Sequence, residues 1–419
     1  MSHFGVLSYK GTGHLNPLIA LSRRLVARGH KVTFFLEAEM EAQFRRHGLG
    51  FSPIGPVPSE TAASSRTHIH NKPSSGIAAI RYRIRRTVRD METSLRQSPA
   101  PIARAGVDAL IIDEIVLAGP TVAEMLCLPY FVISTSVPHN FGWSAPRRIA
   151  PPTSLLNRVQ RALLEISVVR MRGPVRRRLD AYRRQAGLRP IREIKKVFPE
   201  LAHITPLPRC LDFPRSGLPE NFHYTGPFVD ETARLNVEFP WERLDGRPLI
   251  YASLGTTLKG DSSTFQLIAG ACEGLGLQLV ISLGGRRDPE MFRGLPGDPL
   301  VVRNAPQLEL LKRADIVITH AGPNTVFETL MQGKPMIALP KTFDQPAIAA
   351  RLERAGVAEV LRVKGLSAEK IRGALVKVLT DSRYRDAARE LQTEIRSEDG
   401  LERAVSIIER ALERHFEKR

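Results

Sequence analysis

The sequence predicts an α/β protein of two domains, each built on a parallel sheet covered by helices. Three observations lead to this prediction. The chain has 419 residues, which is long for one hydrophobic core. Apolar runs of strand length alternate with longer segments of helical period, which is typical of parallel α/β sheets. A proline-rich stretch at residues 205–239, predicted as a linker, interrupts the alternation, which then restarts.

The first half is predicted to open with a βαβ unit, followed by two short buried strands with a helix between them that ends near Leu126. The predicted strands are residues 4–8, 31–36, 109–112 and 130–134, and the first helix covers residues 15–28, closed by Gly29. Proline, glycine and aromatic residues at 138–152 predict a loop. Residues 155–185 are predicted as strongly basic helix.

The second half repeats the alternation. Its predicted strands are residues 249–253, 278–282, 316–319 and 336–339, and its predicted helices are residues 262–274, 325–331 and an almost unbroken run from 347 to 419. We divide the chain into a first domain at residues 1–230, a linker at 231–247, a second domain at 248–400 and a last helix at 401–419. This last helix could pack back on the first domain.

The net charge of +18 is concentrated in the first half. Residues 1–230 hold 33 Lys and Arg against 17 Asp and Glu, whereas residues 231–419 hold 28 against 26. This asymmetry indicates either an anionic partner or a well-solvated basic surface. The chain has no nucleic-acid recognition motif and few aromatic residues for stacking on bases, so nucleic acid is not an expected partner.

Composition also bears on the compartment. No apolar stretch reaches the roughly 18 residues that a membrane span needs, and the first residues lack the pattern of a signal peptide. Cys127, Cys210 and Cys272 are odd in number and far apart, which fits neither a disulfide framework nor a metal site. We expect a cytoplasmic protein.

The turn after the first predicted strand reads Lys10-Gly11-Thr12-Gly13-His14-Leu15-Asn16-Pro17. Gly-x-Gly here, with Glu37 after the second strand, suggests the dinucleotide site of a dehydrogenase, but Asn16 replaces the third glycine of that fingerprint. His14 would also intrude where a pyrophosphate approaches the backbone. A neutral imidazole at a helix N-terminus can instead serve as a general base, although such a His could also be a capping or surface residue.

Polar residues and glycines follow the later strands of the second half. They are Asn304-Ala305-Pro306-Gln307, His320-Ala321-Gly322-Pro323-Asn324-Thr325, Glu328 and Asp344-Gln345. The helix start after His320, with His320 and Asn324, would form an anion site for a diphosphate. Glu328 could accept hydrogen bonds from ribose hydroxyls, and Asp344-Gln345 could bind a sugar. Ligands of open α/β sheets bind beyond the carboxyl ends of the strands, where these residues are predicted to lie.

This constellation resembles the donor-binding signature of the family 1 glycosyltransferases, which have the GT-B fold of two Rossmann-like domains facing across a cleft. The resemblance extends over almost the whole chain and includes Gly13-His14 with Asn16-Pro17, Tyr224-Thr225-Gly226-Pro227 and Ser253-Leu254-Gly255-Thr256. It implies that residues 1–230 bind the acceptor and residues 248–400 bind the nucleotide-sugar donor.

The resemblance also implies a role for each matching residue. His14 is the expected catalytic base, and Asp113 orients it and stabilises its charged form. The residues expected around the donor diphosphate are Gly13, Ser253, Gly255, Thr256, His320, Gly322, Asn324 and Thr325. Gln307 and Glu328 are expected at the nucleoside, and Asp344 and Gln345 at the sugar. Asn304 stands where plant members carry a tryptophan that stacks on uracil, which leaves the choice between UDP- and TDP-sugars open.

The implied reaction is an inverting, metal-independent transfer of a hexose, with UDP-glucose the favoured donor, to a hydroxyl of a lipophilic small molecule. No separate cofactor is expected, and no Asp-x-Asp motif occurs in the chain. Bacterial carotenoid (zeaxanthin) and macrolide-type members look closest, so the candidate acceptors are carotenoids, terpenoids, flavonoids and macrolides. The alternatives are a sugar-nucleotide epimerase, a transferase acting on a lipid-linked precursor, an inactive nucleotide-sugar binding protein and the dehydrogenase.

The basic residues of the first half suggest where the protein would encounter such an acceptor. Residues 147–196 hold fifteen basic side chains against three acidic ones, and a second cluster contains Arg81, Arg83, Arg85, Arg86 and Arg89. Basic helices with interleaved apolar residues can rest on anionic lipid, in which lipophilic acceptors reside. We expect either reversible docking of the first domain on the cytoplasmic face of a membrane or a basic surface that binds nothing.

Overall fold

The computed structural model describes residues 1–55, 76–138, 173–191, 201–215, 217–234, 237–255, 262–285 and 287–418. Of the predicted loop at 138–152 only Pro138 lies within these ranges, and of the predicted basic helix only the part from residue 173. In the ranges given, no helix is long and apolar enough to cross a membrane.

The first sheet has seven parallel strands. They are β1 His3–Leu7, β2 Lys31–Leu36, β3 Gly50–Pro53, β4 Ala109–Asp113, β5 Tyr130–Ile133, β6 Ala202–Thr205 and β7 Phe222–Tyr224. Their spatial order is β3-β2-β1-β4-β5-β6-β7. The direction of winding reverses between β1 and β4, where Leu7 lies opposite Ile112. Such a reversal opens a crevice at the carboxyl ends of the two strands.

Helices cover both faces of this sheet. They are α1 Thr12–Ala27, α2 Glu41–Arg46, α3 Gly76–Gln97, α4 Pro99–Ala105, α5 Gly119–Met125 and α6 at residues 173–185. Leu18, Leu21 and Leu25 of α1 are buried on one face, and α3, α5 and α6 pack together on the other. α1 begins earlier than its apolar period predicts, because the helix starts directly after the extended N-cap residue Gly11. Gly13 and His14 therefore lie in its first turn.

The second sheet repeats the plan with six parallel strands. They are β8 Leu249–Ser253, β9 Gln278–Ser282, β10 Leu300–Val302, β11 Ile316–Thr319, β12 Met336–Ala338 and β13 Ala358–Val360, in the order β10-β9-β8-β11-β12-β13. Its helices are α7 Ser262–Cys272, α8 Gln307–Arg313, α9 Pro323–Leu330, α10 Gln345–Arg354, α11 Ala368–Thr380 and α12 Arg383–Arg396. The winding reverses between β8 and β11, where Ser253 lies opposite Thr319.

The last helix, α13 Gly400–Glu417, packs on the first domain. Leu401, Val405, Ile408 and Leu412 are buried in the same core cluster as α1 and β1. At the edge of this contact, Arg24 pairs with Glu402 at 2.5 Å and Arg28 with Glu409 at 2.8 Å. α13 thus packs on the domain that contains α1 and β1.

The prediction of an α/β protein with two parallel sheets is confirmed, but two details are wrong. Residues 205–239 are not one linker, because β7 lies among them, and the predicted helical run from residue 347 is broken by β13. The five missed strands, β3, β6, β7, β10 and β13, have three or four residues each. A strand of that length is too short to show an alternation of period two.

Candidate active site

His14 and Asp113 meet at the crevice of the first sheet. His14 lies in the first turn of α1, and Asp113 is the last residue of β4. Because β1 and β4 are neighbours, both side chains emerge at the same edge of the sheet, and His14 Nδ1 lies 2.8 Å from Asp113 Oδ2. Asp113 is fully buried, whereas the His14 side chain is 24% exposed.

The buried carboxylate fixes the orientation of the His14 ring. An ionised Asp113 can only accept hydrogen bonds, so Nδ1 of His14 is the donor and the lone pair lies on Nε2. Asp113 also accepts from the amide of Ile115 at 3.3 Å, and Thr135 Oγ1 lies 2.7 Å from His14 Nδ1. The Tyr9 ring meets the imidazole edge-on at 5.6 Å. Nε2 is therefore the ring atom able to accept a proton.

His320 occupies the matching crevice of the second sheet, after β11 and beside the end of β8. A Cβ on Gly255 would lie 2.6 Å from the His320 ring and one on Gly322 2.5 Å from it, so a side chain at either position would displace the ring. Ala321 takes a left-handed conformation with φ of 62°, which costs roughly 1–2 kcal/mol in a residue with a Cβ. α9 begins directly afterwards with Gly322 as its N-cap. Its positive end and first amides lie at this crevice and favour an anion.

A chain of hydrogen bonds joins α9, α8 and β8. Glu328 is only 2% exposed. Its Oε2 accepts from Gln307 Nε2 at 2.5 Å, and Gln307 Oε1 accepts from the Tyr251 hydroxyl at 3.1 Å. The other carboxylate oxygen of Glu328, Oε1, pairs with Arg234, which lies in the segment between the two sheets. Burial raises the pKa of Glu328, while Arg234 and Gln307 act in the opposite direction.

Two hydrogen bonds join the domains at the predicted site. Asn324 Nδ2 donates to the carbonyl of Gly13 at 3.1 Å, one residue before His14. The Ser136 hydroxyl donates to Asp344 at the start of α10. A small cavity lined by residues of both domains, among them Asn16, Arg234 and Glu328, lies beside these contacts. The two crevices therefore face each other across one cleft.

The remaining predicted residues lie around this cleft with different exposures. Ser253 and Thr325 are buried, whereas Asn304 is exposed and lies over Gly285, where a Cβ would come within 2.9 Å of its Oδ1. Gln345 is buried, and its side-chain oxygen accepts from the amides of Lys341 and Thr342 at 2.9 and 3.0 Å. Gln345 thus shapes the loop before α10. Thr256 lies outside the described residues.

The structure adds Thr135, Ser136 and Arg234 to the site. Ser134-Thr135-Ser136 directly follows β5, the strand beside β4, and a run of hydroxyl side chains after a parallel strand is a signal that could have found the first two. No sequence pattern marks Arg234, whose partner Glu328 is 94 positions away. Over the described ranges, no group of three or more His, Cys, Asp or Glu side chains is arranged to hold a metal ion.

The chain is similar to known proteins over most of its length. Residues 100–415 match the family profile described as UDP-glucoronosyl and UDP-glucosyl transferase, and residues 6–139 match the glycosyltransferase family 28 N-terminal domain. The zeaxanthin glucosyltransferase of Pantoea ananas is 29% identical over 418 residues, which cover 98% of this chain and 96% of that protein.

Solved structures of glycosyltransferases share the fold. The calicheamicin glycosyltransferase CalG4 superimposes with a TM-score of 0.78 at 22% identity, covering 99% of both chains. The spinosyn rhamnosyltransferase SpnG complexed with thymidine diphosphate gives a TM-score of 0.71 at 20% identity, covering 98% of this chain and 100% of that one. The predicted GT-B fold is confirmed. With most of its length matched by the family profile, the chain belongs to the UDP-glucoronosyl and UDP-glucosyl transferase family and is a GT-B glycosyltransferase.

Proposed function

We propose that this enzyme transfers a hexose, with glucose favoured, from a UDP-sugar to a hydroxyl of a lipophilic small molecule, with inversion at the anomeric carbon. The observation that carries the proposal is the pairing of His14 with the buried Asp113 directly across the cleft from the α9 N-terminus. A base and an anion site on opposite walls are what a direct displacement needs.

In this mechanism His14 is the general base. Its Nε2 takes the proton of the acceptor hydroxyl while the hydroxyl oxygen attacks the anomeric carbon, and the bond from that carbon to the diphosphate breaks. Asp113 stabilises the imidazolium that results. Attack from the side opposite the diphosphate turns an α-linked donor into a β-glycoside.

The second domain would bind the donor and stabilise the leaving group. The α9 N-terminus, His320 and Asn324 would take the charge of the leaving diphosphate, so we propose that no metal ion is required. Gln307 and Glu328 would contact the nucleoside, and Asp344 and Gln345 the sugar. Asn304 offers no stacking face for a base, so a TDP-sugar remains the second candidate donor. SpnG was solved in complex with thymidine diphosphate, which supports a TDP-sugar as a candidate donor.

The acceptor class is proposed from the relatives. An enzyme named for zeaxanthin matches this chain over nearly all of its length, which supports a lipophilic acceptor with a hydroxyl group, such as a carotenoid.

Carotenoids, terpenoids, flavonoids and macrolides should be incubated with the purified enzyme and UDP- or TDP-glucose, with and without EDTA. We expect a β-glucoside whose yield EDTA leaves unchanged. Strict dependence on Mg²⁺ or Mn²⁺ would contradict the metal-free mechanism, and epimerised donor without transfer would favour the epimerase alternative.

We further propose that the first domain rests reversibly on the cytoplasmic face of an anionic membrane. α3 and α6 pack side by side, with the Tyr182 hydroxyl 2.7 Å from the carbonyl of Leu95. Exposed arginines on these helices are Arg81, Arg85, Arg86, Arg89, Arg176, Arg177 and Arg178. Arg86 donates to the Tyr9 hydroxyl at 3.2 Å, and Tyr9 touches His14. The basic surface therefore adjoins the proposed acceptor site, where a membrane-borne acceptor would enter.

Liposome co-sedimentation tests the membrane proposal. Binding should require anionic lipid and fall as salt rises to physiological strength, because the interaction is electrostatic. Changing Arg176, Arg177 and Arg178 to serine should weaken it. The same change at Arg383, Arg385 and Arg389, which are exposed on α12 of the second domain, should not. Equal sedimentation with neutral vesicles, or none with either, would leave the basic surface without a lipid partner.

A further inference from the structure

A short segment between the sheets is tied to both domains at the site. Residues 230–234, here called the strap, follow the first domain directly. Arg23 of α1 donates to Asp230 and to the Thr232 hydroxyl, each at 2.9 Å. Lys312 of α8 binds Glu231 at 3.1 Å. The strap therefore lies between α1, which carries His14, and α8, which begins with Gln307.

The strap ends in Arg234, whose guanidinium reaches the buried carboxylate of Glu328. Arg234 is itself 33% exposed at the cleft, whereas Glu328 is 2% exposed. Gln307 binds the other carboxylate oxygen, so Glu328 is held from two sides by groups from different elements. If its only partner were neutral, the negative charge of a buried carboxylate would be poorly compensated. The side chain would then rotate away or take up a proton.

We propose that Arg234 is a positioning residue of the donor site, which holds the Glu328 carboxylate toward the ribose hydroxyls and so sets the affinity for nucleotides that carry them. The inference rests on the nucleoside role given to Glu328 in the proposed function. It adds that this role depends on a residue outside the donor domain, and that the affinity for the ribose follows the position of the strap.

Arg234 should also shape the pH dependence of nucleotide binding. The groups facing Glu328 are Arg234 of the strap, Gln307 of α8 and Tyr251 of β8, and Arg234 supplies the positive charge among them. Burial raises the pKa of Glu328, and Arg234 lowers it. A protonated Glu328 offers the ribose one acceptor fewer. Loss of Arg234 should therefore move the acidic decline of nucleotide affinity to higher pH.

Calorimetric titration with UDP and with 2′,3′-dideoxy-UDP tests the inference on the full chain. Arg234→Gln should weaken UDP about tenfold, as expected for one charged hydrogen bond, and leave dideoxy-UDP unchanged. Arg234→Lys should restore part of the loss. Arg243→Gln removes the same charge from an exposed position of the linker and should change neither affinity. In a Glu328→Gln background, Arg234→Gln should have no further effect. Thermal melting checks that each variant is folded.

The possible outcomes separate the inference from the proposed function. Equal affinity of the wild type for the two nucleotides would contradict the ribose role of Glu328, and the inference would fall with it. A loss in Arg234→Gln that is the same for both nucleotides would mean that Arg234 acts on the diphosphate. That result, or unchanged affinity for UDP, would overturn the inference alone.

Discussion

In the first turn of α1, the two nitrogens of one imidazole face different surroundings. Nδ1 of His14 lies between Asp113 and Thr135 in the interior, whereas the ring as a whole is partly exposed to the cleft. Asp113 is in turn held by the amide of Ile115. The tautomer and the orientation of the proposed base are therefore fixed within the protein, and such preorganisation reduces the reorganisation needed for proton transfer.

Replacing the proposed base, His14, tests this arrangement. His14→Ala should lower kcat by on the order of 10²–10⁴, because it removes general-base assistance, while the Kd for UDP stays nearly unchanged. Asp113→Asn should give an intermediate loss, since the ring remains but its charged form loses its partner. Steady-state kinetics and calorimetry measure the two effects. Full activity of His14→Ala on an ordinary alcohol acceptor would contradict the assignment.

The proposed nucleoside site gives a second test. Glu328→Ala should weaken UDP binding, because it removes the acceptor proposed for the ribose hydroxyls and leaves Arg234 without its buried partner. We expect a loss of roughly 10- to 100-fold in affinity, measured by calorimetry. Glu309→Ala, an exposed position on α8, is the matched control and should have no effect. Wild-type affinity in Glu328→Ala would exclude the nucleoside role.

Whether the sequence predicts the place of a site residue depends on whether the contacts of that residue are local along the chain. His14, His320 and Glu328 follow recognisable strand-to-helix turns, so the amino-acid sequence alone predicts their places. Ser136 and Arg234 meet their partners across the domain boundary, and such contacts depend on how the two sheets are oriented. The space that holds the His320 ring, between Gly255 and Gly322, likewise forms only because β8 and β11 lie side by side.

At the scale of elements, α10 is anchored to the first domain by a buried ion pair. Arg351 is 1% exposed, and its Nη2 lies 2.6 Å from Asp212 Oδ1. Arg215 and the Tyr224 hydroxyl each bind the other oxygen of Asp212 at 2.7 Å. Burial raises the pKa of Asp212, but Arg351, Arg215 and the Tyr224 hydroxyl together outweigh it, so the net shift is downward. The helix that starts at Gln345 is thereby fixed against the segment leading to β7.

Breaking this pair should be costly. Asp212→Asn leaves Arg351 buried without its counter-ion, so we expect a loss of about 3–5 kcal/mol in the free energy of unfolding. Asp245→Asn removes an exposed carboxylate that pairs with Arg247 and serves as the control, for which no measurable change is expected. Urea denaturation measures both. Similar small effects in the two variants would show that the buried pair contributes little.

The longer elements are the easier ones to predict from sequence, although the short strands β11 and β12 are predicted as well. The predicted bounds of the strands at residues 31–36, 249–253, 278–282 and 316–319 agree with the observed ones, because each segment consists mainly of apolar residues. The three-residue strands β7 and β13 join the sheet edges through a few backbone hydrogen bonds only. Their place comes from the sheet they join rather than from their own sequence, so no local pattern could identify them.

At the scale of the whole molecule, α13 couples the stability of the first domain to a helix that follows the second sheet in sequence. Ile408 is fully buried in the cluster that α13 shares with α1 and β1. Ile408→Ala should cost about 2–5 kcal/mol through lost burial and a cavity. Hydrogen exchange should quicken in β1 and β2 more than in β8 and β9. Val376→Ala, 42% exposed on α11, is the control. Faster exchange in the second sheet alone would contradict this coupling.

The basic chain also contains buried histidines whose pKa values are lowered, and they contribute to its response to acid. Burial lowers the pKa of His203 to about 4, and burial also lowers the pKa values of His3, His47 and His223. In the unfolded chain a histidine takes up its proton near pH 6.5. Between about pH 6.5 and pH 4 the unfolded state therefore binds more protons, and stability falls as the pH falls through this window.

His203 should account for the largest part of that loss, on the order of 3 kcal/mol, because it is fully buried beside Ser134. His203→Gln removes the titrating group, so its free energy of unfolding should fall less than that of the wild type between pH 7 and pH 4.5. His47→Gln, at a partly exposed position, should flatten the profile less. Urea denaturation across this range gives the slopes. Parallel profiles for His203→Gln and the wild type would show that His203 does not control the acid sensitivity of the fold.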